Sequence, residues 1–283
     1  MSKGYEVAGL VNGQRNSRED SFSHLFPDVS LVQGDLTDFS SLLQIVHDIQ
    51  PDEIYNLGAI SFVGLSFKQP ELTANVTGLG ALRLLEAVRK AGGEKSIRFY
   101  QASSSEMFGK VRETPQNELT PFHPRSPYGV AKTFAHYTCV NYREAYDMHI
   151  SSGILFNHEG EYRGHEFVTR KITIGMCKIK LGMQKKLYIG NLYAKRDWGH
   201  AKEYVDAMWR ILQLKKPDDF VIATGTQYTV KDFINIVAKE LDIKIKWSGK
   251  GLNEKAYNDR GISIVECDPS YFRPLEVDTL LGD

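Results

Sequence analysis

A tyrosine and a lysine four residues apart carry the strongest chemical signal in the sequence. Tyr128 and Lys132 lie in the segment 126–132 (SPYGVAK), where Pro127 suits the first turn of a helix. Residues four apart share a helix face, so we expect the ammonium to lower the pKa of the phenol from its usual value of about 10 and give a base. The same pair is common on solvated helix faces, so its meaning depends on its context.

A predicted strand upstream ends in hydroxyl groups and a carboxylate. Segment 96–102 has the composition of a buried strand, and residues 103–106 (SSSE) follow it directly. In an open parallel sheet, the carboxyl ends of the strands face the ligand crevice. A hydroxyl there can bond a substrate oxygen or the tyrosine, and Glu106 can move a second proton. Residues 103–106 are also typical of turns and helix caps that have no catalytic role. Their occurrence together with Tyr128 and Lys132 favours an active site.

The elements that must position these groups follow an alternating pattern. Short β-branched or aromatic runs alternate with longer helical runs, which is typical of βαβ units. The pattern predicts strands at 5–11, 53–57, 96–102, 150–156 and 220–223, and helices at 40–49, 72–88, 128–146, 167–181, 201–214 and 232–241. We therefore predict an α/β fold with a doubly wound parallel sheet and a smaller C-terminal portion that binds substrate.

Composition narrows the class of protein. The 283 residues include 35 basic and 35 acidic side chains, so no net charge favours nucleic acid or an anionic membrane. Three widely spaced cysteines and no ligand spacing around the histidines disfavour disulfides and a metal site. The sequence has no apolar run of the roughly 20 residues that span a bilayer and no signal peptide. We expect a cytoplasmic protein.

Eight collinear segments resemble the sugar-nucleotide branch of the short-chain dehydrogenases, and within it the GDP-mannose 4,6-dehydratases. The likeness runs from about residue 4 to residue 283. The segments are 34–38 (GDLTD), 53–59 (EIYNLGA), 99–103 (FYQAS), 124–129 (PRSPYG), 154–159 (ILFNHE), 167–171 (FVTRK), 194–200 (AKRDWGH) and 271–277 (YFRPLEV).

The resemblance implies a reaction and a role for each candidate catalytic residue. A tightly held NADP would take hydride from C4 of GDP-mannose while Tyr128 takes the hydroxyl proton. Glu106 would then remove the C5 proton as water leaves C6, and hydride would return to C6. Lys132 would lower the tyrosine pKa and hold the cofactor ribose. Ser104, where the family usually has threonine, and Ser105 complete the predicted set.

The resemblance also implies binding residues for the cofactor and the substrate. The remaining cofactor candidates are Asp35 and Leu36 at the adenine, Leu57, Gly58 and Ala59 near the phosphates and ribose, and Arg15, with Arg18 as its alternative, at the 2′-phosphate. The substrate candidates are Asn157, Val168, Lys171, Arg196, Arg273 and Glu276. Taken singly, each of these residues has a plainer interpretation. Asp35 fits a loop or cap residue equally well, residues 57–59 fit a plain turn, and the charged substrate candidates fit ordinary surface charges. Residues 1–157, with 196–225 returning to them, would bind the dinucleotide, and 158–195 with 226–283 the nucleotide sugar. The family also implies a homodimer or homotetramer.

The start of the sequence departs from the family. Residues 1–5 resemble the point just before the family's second strand, so we expect the first strand, glycine loop and first helix to be missing from the sequence given. Two rival functions remain at this point. One is a reductase or epimerase acting on a related GDP-sugar, and the other is a non-catalytic fragment that binds a GDP-sugar.

Overall fold

The computed structural model describes residues 3–12 and 24–283. Its helices are α1 (Phe39–Ile49), α2 (Val63–Lys68), α3 (Pro70–Thr73), α4 (Gly80–Lys90), α5 (Pro127–Tyr146), α6 (Val168–Lys180), α7 (Ala201–Leu212) and α8 (Val230–Glu240). Its strands are β1 (Ala8–Val11), β2 (Ser30–Gln33), β3 (Glu53–Asn56), β4 (Arg98–Ser104), β5 (Ile150–Leu155), β6 (Asn157–Glu159), β7 (Leu187–Ile189), β8 (Lys195–His200), β9 (Asp219–Ile222), β10 (Gln227–Thr229), β11 (Ile245–Ser248), β12 (Lys255–Asn258), β13 (Ser263–Cys267) and β14 (Thr279–Leu280).

A four-stranded parallel sheet in the order β3-β4-β5-β9 forms the centre of the fold. Successive side chains of a strand point to opposite faces. On one face Phe99 packs with α5 residues such as Tyr142, and on the other Tyr100 packs with α7 residues such as Met208. Helices thus cover both faces, which confirms the predicted doubly wound arrangement and explains why β5 is buried along its whole length.

Strands β1 and β2 form a separate parallel pair. The sequence patterns did not predict β2, a four-residue strand of which no residue is fully buried. The chain just before β1 is tied to the central sheet, because Tyr5 donates a hydrogen bond to Glu53 (3.0 Å) and accepts one from Trp209 (3.0 Å).

Two further four-stranded sheets follow in the C-terminal half. One has the order β10-β8-β14, with β6 also pairing with β8, and the other has the order β11-β12-β13-β7. The second sheet shares a core with α6 and α8, formed by residues such as Ile172, Ile234 and Val265. This cluster gives the C-terminal half a hydrophobic core of its own.

The structure confirms the predicted helices, with one irregularity. The predicted helix 72–88 is interrupted by a π-helical turn at Ala74–Leu79 before α4 begins. Gly92 follows with a positive φ of 79°, as the predicted helix end requires. Within residues 3–12 and 24–283, none of the helices has the length and apolar character needed to cross a membrane.

Candidate active site

The start of α5 places the tyrosine and lysine beside the end of β4. Ser126 caps the helix by accepting a hydrogen bond from the backbone N–H of Gly129 (3.0 Å). Gly129 lets the helix approach closely, because a Cβ there would lie 2.7 Å from the carbonyl oxygen of Glu106. Tyr128 and Lys132 are both buried. The Lys132 ammonium donates to the Ala102 carbonyl oxygen (2.7 Å) and lies 5.8 Å from the centre of the Tyr128 ring.

The end of β4 turns sharply and brings three of the predicted residues together. Ser105–Met107 form a 3₁₀ turn, and the Ser104 hydroxyl caps it by accepting a hydrogen bond from the backbone N–H of Glu106 (3.2 Å). The Ser104 side chain lies close enough to the Tyr128 phenol to lower its pKa through hydrogen bonding. Ser105 is buried in the turn. The turn at the end of β4 therefore lies next to Tyr128 of α5, as the sequence pattern predicts.

The sequence predicts a lowered pKa for Tyr128. The protein's own groups raise this pKa instead, so the prediction is wrong. Burial raises the pKa of Tyr128 to about 12, with a further upward contribution from the charge of Glu106. Hydrogen bonding by Ser104 and the charge of Arg163 act in the opposite direction but do not outweigh burial. Burial also lowers the pKa of Lys132 to about 8. Removal of both groups from water is the larger effect here, because it disfavours both charged forms.

Glu106 lies among charged side chains from distant parts of the sequence. Its Oε1 is 3.6 Å from Nη1 of Arg273, and its Oε2 is buried without a hydrogen-bond partner among the described residues. Arg196 on β8 is also buried, which lowers its pKa, and it feels the charges of Glu106, Arg273 and Glu276. The Glu276 carboxylate accepts the backbone N–H of Arg273 (2.9 Å). The structure therefore brings three predicted substrate residues to the predicted catalytic carboxylate.

The other substrate candidates lie along the same side of the C-terminal half. Asn157 is the first residue of β6 and pairs with Trp198 of β8, the strand that carries Arg196. Val168 begins α6. One turn later the Lys171 ammonium stacks over the Tyr271 ring, 3.1 Å from its centre, and burial lowers the pKa of Lys171 to about 8. Lys171 and Tyr271 border a cavity of about 260 Å³.

The cofactor candidates surround the ends of β2 and β3. Leu57 and Gly58 follow β3 and are exposed, and Ala59 is half-buried. The Leu36 side chain packs over Gly58, where a Cβ would lie 2.5 Å from its methyl group. Asp35 accepts hydrogen bonds from the backbone N–H (2.7 Å) and hydroxyl (2.8 Å) of Thr37 through the same oxygen, so it has at least a turn-forming role. Arg15 and Arg18 lie outside the described residues.

Sequence reasoning missed a partly exposed ion pair near the tyrosine. Nε of Arg163 lies 3.0 Å from Oε2 of Glu159, which also accepts the Thr169 hydroxyl (2.6 Å). Burial raises the pKa of Glu159, and Arg163 and Thr169 only partly offset this effect. Arg163 stacks over the Phe167 ring (3.5 Å) and acts on Tyr128 through its charge. Glu159 and Arg163 are four residues apart, a spacing typical of helical ion pairs, but this segment is not helical, so the spacing did not indicate the contact. In the described ranges, no group of three or more His, Cys, Asp and Glu side chains is arranged to hold a metal ion.

Comparison with solved structures defines the class. The fold matches a Pseudomonas aeruginosa protein called RMD, solved with NADPH, with a TM-score of 0.76 and 21% identity over 98% of this chain and 89% of that one. It also matches a dTDP-glucose 4,6-dehydratase from Streptomyces venezuelae, solved with NAD and TYD, with a TM-score of 0.78 and 19% identity over 98% of this chain and 79% of that one. The chain has the Rossmann fold of the extended short-chain dehydrogenases.

Sequence comparison then gives the family. The family model described as GDP-mannose 4,6 dehydratase matches residues 1–283. The chain is 52% identical to the GDP-mannose 4,6-dehydratase of Yersinia enterocolitica, across 100% of this chain and 81% of the relative. It is 48% identical to the human GDP-mannose 4,6 dehydratase, across 100% of this chain and 78% of the relative. The chain belongs to the GDP-mannose 4,6-dehydratase family.

Proposed function

We propose that the protein converts GDP-mannose to GDP-4-keto-6-deoxymannose, which makes it a hydro-lyase. The observation that carries this proposal is the buried Glu106 carboxylate beside Tyr128, with one oxygen that has no hydrogen-bond partner among the described residues. Oxidation at C4 alone needs one base. Elimination of water needs a second group that removes a proton from C5, and Glu106 is placed to do so.

The residues at the ends of β2 and β3 fit a dinucleotide. Leu57 and Gly58 are exposed where the carboxyl ends of parallel strands meet the crevice, and no side chain projects from Gly58 to block a close approach. In the proposal the cofactor is NADP. Asp35 and Leu36 hold the adenine, 57–59 lie along the phosphates and ribose, and Arg15 holds the 2′-phosphate. A bound oxidised nicotinamide would supply the acceptor for hydride from C4 and its return to C6, and its positive charge would favour the Tyr128 phenolate.

The chain's own residues handle the protons. Tyr128 takes the proton of the C4 hydroxyl, with Ser104 hydrogen-bonded to its phenol and Lys132 holding the ribose. Glu106 takes the proton from C5, which the adjacent ketone acidifies, and Ser105 assists departure of the C6 hydroxyl. Two protons leave, from O4 and C5. One completes the leaving water and the other returns to C5, so there is no net oxidation.

The basic residues next to Glu106 suit the nucleotide part of the substrate. Arg196 and Arg273 supply two guanidinium groups for a diphosphate. Lys171 lies at the cavity beside Tyr271 and suits the ribose or a phosphate oxygen. Asn157, Val168 and Glu276 complete the proposed pocket, with a carboxylate suited to the donor edge of guanine. Residues 158–195 and 226–283 then bind the nucleotide sugar, and 1–157 with 196–225 bind the dinucleotide.

An apolar face on α5 supports a homodimer. Val130 and Phe134 are 56% and 45% exposed on this helix. They line a groove of about 550 Å³ together with Leu79 and neighbouring residues of the π-helical turn. A second copy is the proposed occupant. Light scattering should show a dimer that dissociates in Phe134→Glu, and an unchanged mass would count against this face.

The reaction is tested by incubating the purified protein with GDP-mannose and NADP and following the product by mass spectrometry. We expect a product lighter by one water. Glu106→Gln keeps the size of the side chain but removes the base, so water loss and exchange of the C5 hydrogen with deuterated solvent should both stop. Turnover of a GDP-sugar without loss of water, retained in Glu106→Gln, would instead point to a reductase or epimerase reaction. Binding of GDP-mannose without turnover would point to a non-catalytic protein.

A further inference from the structure

One face of α5 holds the end of β4 at three consecutive residues. Tyr128, Lys132 and His136 follow one another at intervals of four, so their side chains share a face. The Tyr128 phenol lies next to the Ser104 side chain, which lowers its pKa, and Lys132 donates a hydrogen bond to the Ala102 carbonyl oxygen (2.7 Å). Nδ1 of His136 lies 3.0 Å from the hydroxyl of Ser103, the residue between them.

Charged groups behind His136 continue this chain of contacts. Its Nε2 lies 3.9 Å from Oδ2 of Asp219 on β9. Two parallel hydrogen bonds from Arg143 hold that carboxylate, at 3.0 and 2.7 Å, and Arg143 also donates to the Ile150 carbonyl oxygen on β5 (3.0 Å). The partly buried pair of Asp219 and Arg143 therefore forms a support across two strands. The histidine links this support to the strand that carries Ser104 and Glu106.

The surroundings of the ring favour one tautomer. The Asp219 carboxylate, 3.9 Å from Nε2, is beyond hydrogen-bond distance but attracts a proton on that nitrogen, and Nδ1 then accepts the Ser103 hydroxyl. Only 4% of His136 is exposed, and Phe122 packs edge-on against the ring at 5.2 Å between centroids. The ring can neither turn freely nor exchange its partner for bulk water, so the Ser103 hydroxyl has a fixed acceptor.

We infer that His136 is a positioning residue of the active site, which holds Ser103 and thereby fixes the adjacent Ser104 against Tyr128. This inference rests on the proposed dehydratase reaction. A histidine in a core can also serve packing alone. The two roles differ in one respect: positioning requires the acceptor at Nδ1, whereas packing requires only a side chain of similar shape.

Two variants of matched shape separate these roles. His136→Asn keeps an acceptor near the Nδ1 position, whereas His136→Leu has the same branching without one. We expect kcat to fall about tenfold in His136→Leu, as a displacement of a fraction of an ångström would cause, with KM unchanged. We expect His136→Asn to stay within about threefold of the wild type. Ser103→Ala should match the loss in His136→Leu, and the double variant should lose no more than either one.

A measurement without turnover keeps this test separate from the test of the reaction. In protein labelled with ¹⁵N-histidine, the His136 shifts should report the Nε2–H tautomer, and this signature should weaken in Ser103→Ala. A wild type with this tautomer but without dehydratase activity would leave the contact intact and reject the proposed function. Equal kcat values for His136→Asn and His136→Leu in an active enzyme, or additive losses in the double variant, would overturn the positioning role.

Discussion

Gly129→Ala tests the closest approach between α5 and the catalytic turn. The added methyl group would lie 2.7 Å from the Glu106 carbonyl oxygen and 3.0 Å from Cβ of Pro124, whereas ordinary contact begins at 3.4 Å. The backbone must therefore move by roughly 0.7 Å at the first of these contacts. Overpacking of this kind costs about 1–3 kcal/mol. The displaced parts carry Tyr128 and Glu106, and a misplacement of about 1 Å can cost about 10²-fold in rate.

We expect Gly129→Ala to lower kcat by about 10- to 100-fold and the midpoint of thermal unfolding by roughly 2–10 °C. The assays are product formation followed by mass spectrometry and a thermal melt of the same sample. Gly160→Ala is the matched control, because its methyl group would meet only Cβ of Ala201, at 3.6 Å. If Gly129→Ala matched Gly160→Ala in both kcat and midpoint, the reasoning from close approach would be refuted.

Three further predictions concern single side chains. Tyr128→Phe should lower kcat by about 10²–10⁴-fold in the same assay, and a fall below threefold would exclude Tyr128 as the base. Asp219→Asn leaves the partly buried Arg143 guanidinium without its charge partner, so urea denaturation should show a loss of about 1–3 kcal/mol, and an unchanged free energy of unfolding would contradict this role. Lys132 has a pKa of about 8 when folded, below its ordinary value of 10.5, so the unfolded chain binds more protons between these pH values. The wild type should therefore gain stability relative to Lys132→Met as pH rises from 8 to 10, and a constant difference in free energy of unfolding would contradict burial of the amine.

Elements with a strong local period were predictable. The helix predicted at 128–146 is Pro127–Tyr146 in the structure, because its cap and first-turn proline are local signals. Strand β2 was missed because four residues of mixed exposure give too short a pattern. The π-helical turn at Ala74–Leu79 was also missed. Its apolar residues keep helix-like spacing, and only packing against α5 distinguishes it.

The electrostatics of the site show why a motif alone is insufficient. The spacing of Tyr128 and Lys132 predicted a shared face, and both side chains do face the end of β4. It also predicted a lowered tyrosine pKa, which the protein by itself does not show. A pKa depends on how far water is excluded from both groups, and burial is a property of the whole fold. A change in the Tyr128 pKa caused by the cofactor's positive charge would occur only when the cofactor is bound.

The sequence by itself determined the alternation of strands and helices, the motif on α5 and the family, because these features depend on residue type and on spacing along the chain. The tertiary structure alone decided which distant residues meet. Glu106, Arg196 and Arg273 come from three separate regions of the sequence, and so do Ser103, His136 and Asp219. Such contacts depend on the order of strands in the sheets and on burial, so the spacing of residues along the chain does not reveal them.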